Sequence, residues 1–239
     1  MKGMSNRLRQ QNEELSFHKH GSQPQEEESS TGVSRASAPL PLNSDIYPPG
    51  HKAYPLIAEA THDTYLFDSE TTCPVCEKKF PVKMVRSSKL RLDKIEPDMR
   101  QHFHDFEPLW YAVWICPHCY YANFNFEFKQ VSDALVKKIM EQGQELKSKI
   151  KINFSSPRKI DEVFTSYYMI LHTLQAGKVD PTKSAKIWLR LSWLYSDVED
   201  EEMYNYTSEK ALEAYSESYF NTRRNTSVEQ DQRLTILLG

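Results

Sequence analysis

Glycine is scarce in this chain, with seven in 239 residues, and that leaves little material for the phosphate-cradling loops of nucleotide-binding proteins. No GxxxxGK(S/T), GxGxxG, HExxH or GxSxG stretch occurs, so the P-loop, dinucleotide-binding, zincin and nucleophile-elbow classes lose their signatures. An HxE is missing too, which sets aside the zinc deaminases, whose general acid/base is that Glu. There is no run of about eighteen apolar residues, and the opening MKGMSNRLRQQNEEL lacks an apolar h-region. A cytoplasmic protein with no membrane partner is therefore expected. Nor does charge of one sign dominate: 30 Lys and Arg stand against 33 Asp and Glu, a net charge of -3. A nucleic acid would have to meet a local patch.

Cysteine is the other rare residue, with four in the chain. A reducing compartment keeps thiols free and favours metal ligation over disulfides. The four fall in two matched pairs, CPVC at Cys73 and Cys76 and CPHC at Cys116 and Cys119, with 39 residues between the pairs. Two residues between paired Cys let a tight turn aim both sulfurs at one ion, and Zn²⁺ prefers four such ligands in a tetrahedron. One structural Zn²⁺ per chain is expected, although four thiolates accept iron as well. Such a closed site leaves no position for a reacting water, so no zinc catalysis and no catalytic residues are expected. The position after each second Cys, where zinc knuckles usually carry Gly, holds Glu77 and Tyr120. A left-handed turn there costs about 1 kcal/mol, small beside the roughly 10–16 kcal/mol of apparent zinc-binding energy in zinc-finger peptides. His118 inside the second pair, and His102 and His104 around Phe103 in an expected loop, read as surface groups.

The chain changes character along its length. Residues 1–50 are polar and rich in Ser, Gln, Glu and Pro, which predicts a disordered extension, with at most a marginal helix over Ser5 to Glu14. Residues 51–129 are aromatic and strand-like, with strands expected at Thr64–Phe67, Phe80–Val85 and Trp110–Ile115 beside the Cys pairs, as in a zinc ribbon. Residues 130–239 take a helical period. A first helix carries Val131, Leu135, Ile139 and Leu146, with Gly143 as its only breaker. A second starts near Ser156, with Pro157 in its first turn, and ends on Gly177 as its cap. A third covers Thr182 to Tyr195 and a fourth Glu201 to Phe220. Trp188, Leu191, Ser192 and Tyr195, then Ala211 and Tyr215, follow the tetratricopeptide pattern, except that the acidic stretch Asp197–Glu202 makes the link long. The residues from Arg233 to Gly239 read as the opening of one more helix. The fold class is α+β: a small strand-rich zinc-ribbon-like module, then an all-α tetratricopeptide-like region.

Two surfaces could carry function. Lys83, Arg86, Lys89 and Arg91 form a basic stretch that would suit an anion or a nucleic acid, or else simply solvate a hairpin and blunt its edge. Trp188, Tyr195 and Tyr215 mark a helix face that would hold a protein partner. Together CPVCEKKF, VRSSKLRL, EPLWYAVWICPHCYYANF and the helical WLRLSWLY and EKALEAY segments resemble the uncharacterised bacterial family called domain of unknown function 2225, over about Tyr65 to Leu238. The family's usual CPxCG and CPHCGYA differ at Glu77 and Tyr120. The resemblance implies a presumed metal-binding module followed by tetratricopeptide-like helices in bacterial cytoplasm, with no activity assigned. The expected role is a zinc-stabilised scaffold for another protein, with a nucleic-acid-binding zinc ribbon and a zinc-thiolate redox sensor as the alternatives.

Overall fold

The computed structural model describes residues 44–222, together with Gln232. The helix expected over Ser5 to Glu14, nearly all of the N-terminal extension and the stretch from Arg233 lie outside them. Residues 44–50, expected to belong to the disordered extension, are instead packed onto the helices. Tyr47 hydrogen-bonds through its hydroxyl to Thr165 Oγ1 at 2.6 Å.

Among the described residues the architecture is α+β, with three two-stranded antiparallel ribbons followed by four helices. The first ribbon pairs β1 (Leu66–Thr72) with β2 (Lys79–Val85), the second β3 (Leu92–Ile95) with β4 (Gln101–Phe103), and the third β5 (Val113–Ile115) with β6 (Ala122–Phe124). Phe80 and Val82 turn inward from β2 while Lys79 and Pro81 turn out, the alternation a half-buried strand requires. Pro81 is tolerated because a two-stranded ribbon leaves one edge of β2 without a partner. Trp110 is not in a strand, since Pro108–Tyr111 forms a turn of 3-10 helix whose first amide is capped by Glu107. His102 lies on β4 rather than in a loop.

The helices are α1 (Asp133–Lys149), α2 (Ile160–Leu174), α3 (Pro181–Asp197) and α4 (Glu201–Thr222). Helix α2 starts four residues later than its sequence promised. Pro157 stands ahead of it, and Glu162 caps the helix by accepting from Lys159 N at 3.1 Å. Gly177 does not cap α2, which ends on Gln175 in right-handed conformation. Its missing side chain instead makes room for Leu135 of α1, whose Cδ2 would sit 3.0 Å from an added Cβ. Helix α3, expected from Thr182, opens one residue earlier on Pro181, with Asp180 as its cap. The acidic link to α4 is short, only residues 198–200, because its carboxylates are used structurally. Asp200 accepts from Met203 N at 3.1 Å and so caps α4.

One core spans strands and helices. Val113, Ile115, Ala122 and Phe124 of the third ribbon pack with Ile160, Val163 and Tyr167 of α2 and with Ile187, Leu191 and Leu194 of α3. The sequence boundary near residue 130 thus separates types of secondary structure but not the core.

Candidate metal centre

Both Cys pairs sit at the turn of a ribbon, and the two turns are built alike. Cys73 directly follows β1 and Cys116 directly follows β5. Cys73 N donates to Lys78 O at 3.0 Å and Glu77 N to Cys73 O at 2.9 Å, and in the second turn Cys116 N donates to Tyr121 O and Tyr120 N to Cys116 O, both at 2.9 Å. Closing this loop requires a positive φ after the second Cys, and Glu77 (59°) and Tyr120 (61°) both adopt it. The turn amides point at the sulfurs: those of Val75 and Cys76 toward Cys73, those of Cys119 and His118 toward Cys116. Donors placed this way stabilise thiolates.

The four Sγ atoms converge within 4.8 Å of one another, with Cys73 and Cys119 at 3.5 Å and Cys76 and Cys116 at 3.6 Å. An ion held at about 2.3 Å by four thiolates sets the sulfurs about 3.8 Å apart, so the cluster fits a tetrahedral metal. Among the thiols charge is shared unevenly. Hydrogen bonds from Cys119 and Cys73 push the Cys116 thiol below its ordinary value, while bonding to Cys116 is the main cause that pushes Cys73 and Cys119 up. A cation at the centre relieves this competition by taking all four as thiolates. Among the described residues no other group of His, Cys, Asp and Glu converges in this way.

Helix α1 closes the site from one side, and Gly143 is the reason it can. A Cβ on Gly143 would lie 1.9 Å from the carbonyl oxygen of Cys119, so only glycine lets the helix backbone rest on the second turn. Ile139 packs beside it with Phe80, Tyr121 and Phe128 around the sulfurs. Lys147 of the same helix donates its Nζ to the His118 carbonyl, and Tyr120 donates its hydroxyl to Ile150 O at 3.3 Å. The sequence marked Gly143 as a helix breaker; its approach to the metal turn had no local signal.

The remaining predicted residues are dispersed. His118 is exposed as expected, and His104 points outward beside Asp93 at 3.5 Å. In the basic stretch Lys83 pairs with Asp68 at 2.8 Å, Arg86 Nε donates to Leu66 O at 3.2 Å and Lys89 Nζ to Thr64 O at 2.9 Å. Arg91 is exposed. The expected partner face is corrected. Tyr195 is wholly buried and its hydroxyl bonds to His51 Nδ1 at 2.7 Å and to Tyr168 at 2.8 Å. Tyr215 is buried against Ala185 and Ala211, and Trp188 is partly buried between the same helices. Tyr195 and Tyr215 thus follow the repeat pattern as buried core residues, with Trp188 packed partly between them.

The fold and site define a class: an α+β chain whose strand pairs carry a four-cysteine cluster sealed by a helix. The model of a family described as "Uncharacterized protein conserved in bacteria (DUF2225)" matches residues 66–239, and the chain belongs to that family. A relative from Borreliella burgdorferi (strain ATCC 35210 / DSM 4680 / CIP 102532 / B31), bearing the name "Uncharacterized protein", is 28% identical over 163 residues, 60% of this chain and 58% of its own length. The chain thus spans less than two thirds of that relative. No solved structure matches this chain.

Proposed function

We propose that Cys73, Cys76, Cys116 and Cys119 hold one structural Zn²⁺, and that the chain is a non-catalytic, cytoplasmic scaffold that binds another protein through its helical region. The convergence of four buried or half-buried free sulfurs at tetrahedral spacing carries the metal reading. A four-thiolate shell is closed, which supports a folding role over a catalytic one. No described helix is long and apolar enough to cross a membrane.

The surface that supports this reading is a groove between α3, α4 and the turn at Pro97, floored in part by Tyr215. Tyr204 and Leu212 there are 40% and 48% exposed, and with Pro97 and Leu189 they line it along the tetratricopeptide-like pair of α3 and α4. The short link between these helices supports the repeat reading. Nucleic-acid binding is the weaker reading, because Lys83, Arg86 and Lys89 already bond within the first ribbon and its approach.

Chemical crosslinking of the metal-loaded chain in bacterial extract tests the scaffold. One protein should be recovered reproducibly with the native chain and lost with Tyr204→Glu/Leu212→Glu. Recovery of no protein, or recovery indifferent to both changes, would sink the scaffold reading and leave the metal reading intact.

A further inference from the structure

The groove between α3, α4 and the turn at Pro97 has a volume of about 390 Å³. Most of its lining is apolar, with Leu189 on α3, Tyr204 and Leu212 on α4 and Pro97 at the turn. Of the lining residues Asp98 alone is charged. That carboxylate is held by neutral donors, accepting from Arg100 N at 3.1 Å and from Trp193 Nε1 at 2.5 Å. The Arg100 guanidinium is paired instead with Asp197 at 2.8 Å and Glu107 at 3.2 Å. The groove therefore keeps a negative charge.

Helix α4 adds to it. Glu201, Glu202, Glu209, Glu213 and Glu217 are all exposed and stand against a single Lys, and that Lys210 is paired with Glu213 at 2.8 Å. On the helical period Glu201 falls in the row of Tyr204, Ser208 and Leu212, and Glu209 lies three residues before Leu212, so these two flank the groove. Glu213 and Glu217 fall on the opposite side of the helix. Cations of the adjoining segments are engaged elsewhere: Lys52 with Asp200 at 2.9 Å, Lys94 with Glu96 at 3.0 Å, and Arg190 over the Phe124 ring at 4.6 Å. A run of Glu alone would be a solvated helix face. Here it borders exposed apolar side chains, and the pairing of the two selects a partner that is apolar and basic at once. Tyr204 and Leu212 stand two turns apart, about 12 Å along the axis, which matches the span of the anchoring side chains of a docked helix.

We propose that this groove takes a basic amphipathic helix of another protein, its apolar side chains entering between Leu189, Tyr204 and Leu212 and its Lys or Arg side chains meeting Glu201, Glu209 and Asp98. The inference rests on the scaffold reading and adds the chemistry of the partner.

Fluorescence anisotropy of the metal-loaded full chain with a short helical peptide, leucine on one face and lysine on the other, tests this. The same peptide with glutamate in place of lysine is the control. The lysine peptide should bind saturably and at least about tenfold tighter than the glutamate peptide, and should weaken as salt rises from about 0.05 to about 0.5 M. Tyr204→Gln/Leu212→Gln should weaken it by about tenfold and Glu201→Gln/Glu209→Gln by about threefold to fivefold. Glu213→Gln/Glu217→Gln makes the same change in net charge on the far side of α4 and should leave the affinity unchanged. The proposal is overturned by no saturable binding, by equal binding of the two peptides, or by equal weakening from the two pairs of Glu→Gln changes. If crosslinking in extract recovers a partner that Tyr204→Glu/Leu212→Glu loses, yet the lysine peptide does not bind, the scaffold reading stands and the basic partner is ruled out.

Discussion

Gly143 is the residue at which helix packing and metal geometry meet. An Ala there would gain about 1 kcal/mol of helix propensity, yet its Cβ would fall 1.9 Å from Cys119 O. Overpacking against backbone costs about 1–3 kcal/mol, occasionally more, so the steric cost wins. Gly143→Ala should lower stability by about 2 kcal/mol in urea melts and loosen the metal, read as faster loss to a chelator. An unchanged melt would mean that α1 does not rest on the second turn. At this scale the convergence of the four cysteines was readable from spacing alone, and so were the positive φ angles of Glu77 and Tyr120, because the turn's closure dictates them whatever residue stands there. What Gly143 touches was not readable, since Cys119 is 24 residues away in sequence.

At the scale of elements, the second ribbon shows what the sequence concealed. β3 has four exposed residues and β4 only three residues in all, so neither carries an alternation that marks a strand. The ribbon is held from outside, by Arg100, which binds Asp197 through both carboxylate oxygens at 2.8 Å and Trp193 O at 3.1 Å, while Trp193 Nε1 donates to Asp98 at 2.5 Å. Arg100→Met should leave Asp197 and Glu107 uncompensated and cost about 3 kcal/mol, with hydrogen exchange rising first in residues 92–103. Exchange unchanged in that ribbon would show that Arg100 does not anchor it. The long helices were legible because their apolar period is sustained. Helix α2 began late because Ser155 binds Glu162 and the chain enters the helix only at Lys159. The three-residue acidic link between α3 and α4 was misjudged because Asp197 and Asp200 bind Arg100, Lys52 and Tyr54 rather than solvent.

Across the whole molecule, the segment just before the first ribbon completes the helical core through His51, whose ring lies among Tyr47, Tyr54, Phe164 and Tyr195. Burial pushes its pKa from 6.5 to about 4. Because the folded value is depressed, the unfolded chain binds the extra proton between these limits. The contribution is full above about pH 6.5 and is lost as pH falls toward about 4. His51→Phe should therefore show a shallower loss of melting temperature than the native chain across that window. Parallel profiles would show that His51 is not kept neutral by the fold. The four-cysteine cluster joins the turns of the first and third ribbons, and α1 rests on the second turn, so removing the proposed metal should unfold more than the turns themselves. Native mass spectrometry with metal analysis of the purified chain, before and after mild peroxide and beside Cys116→Ser, tests this most directly. One zinc per chain that survives peroxide, and a Cys116→Ser chain that has lost both zinc and its cooperative melt, is the predicted result. A native chain that carries no metal, or a Cys116→Ser chain that melts unchanged, would contradict it.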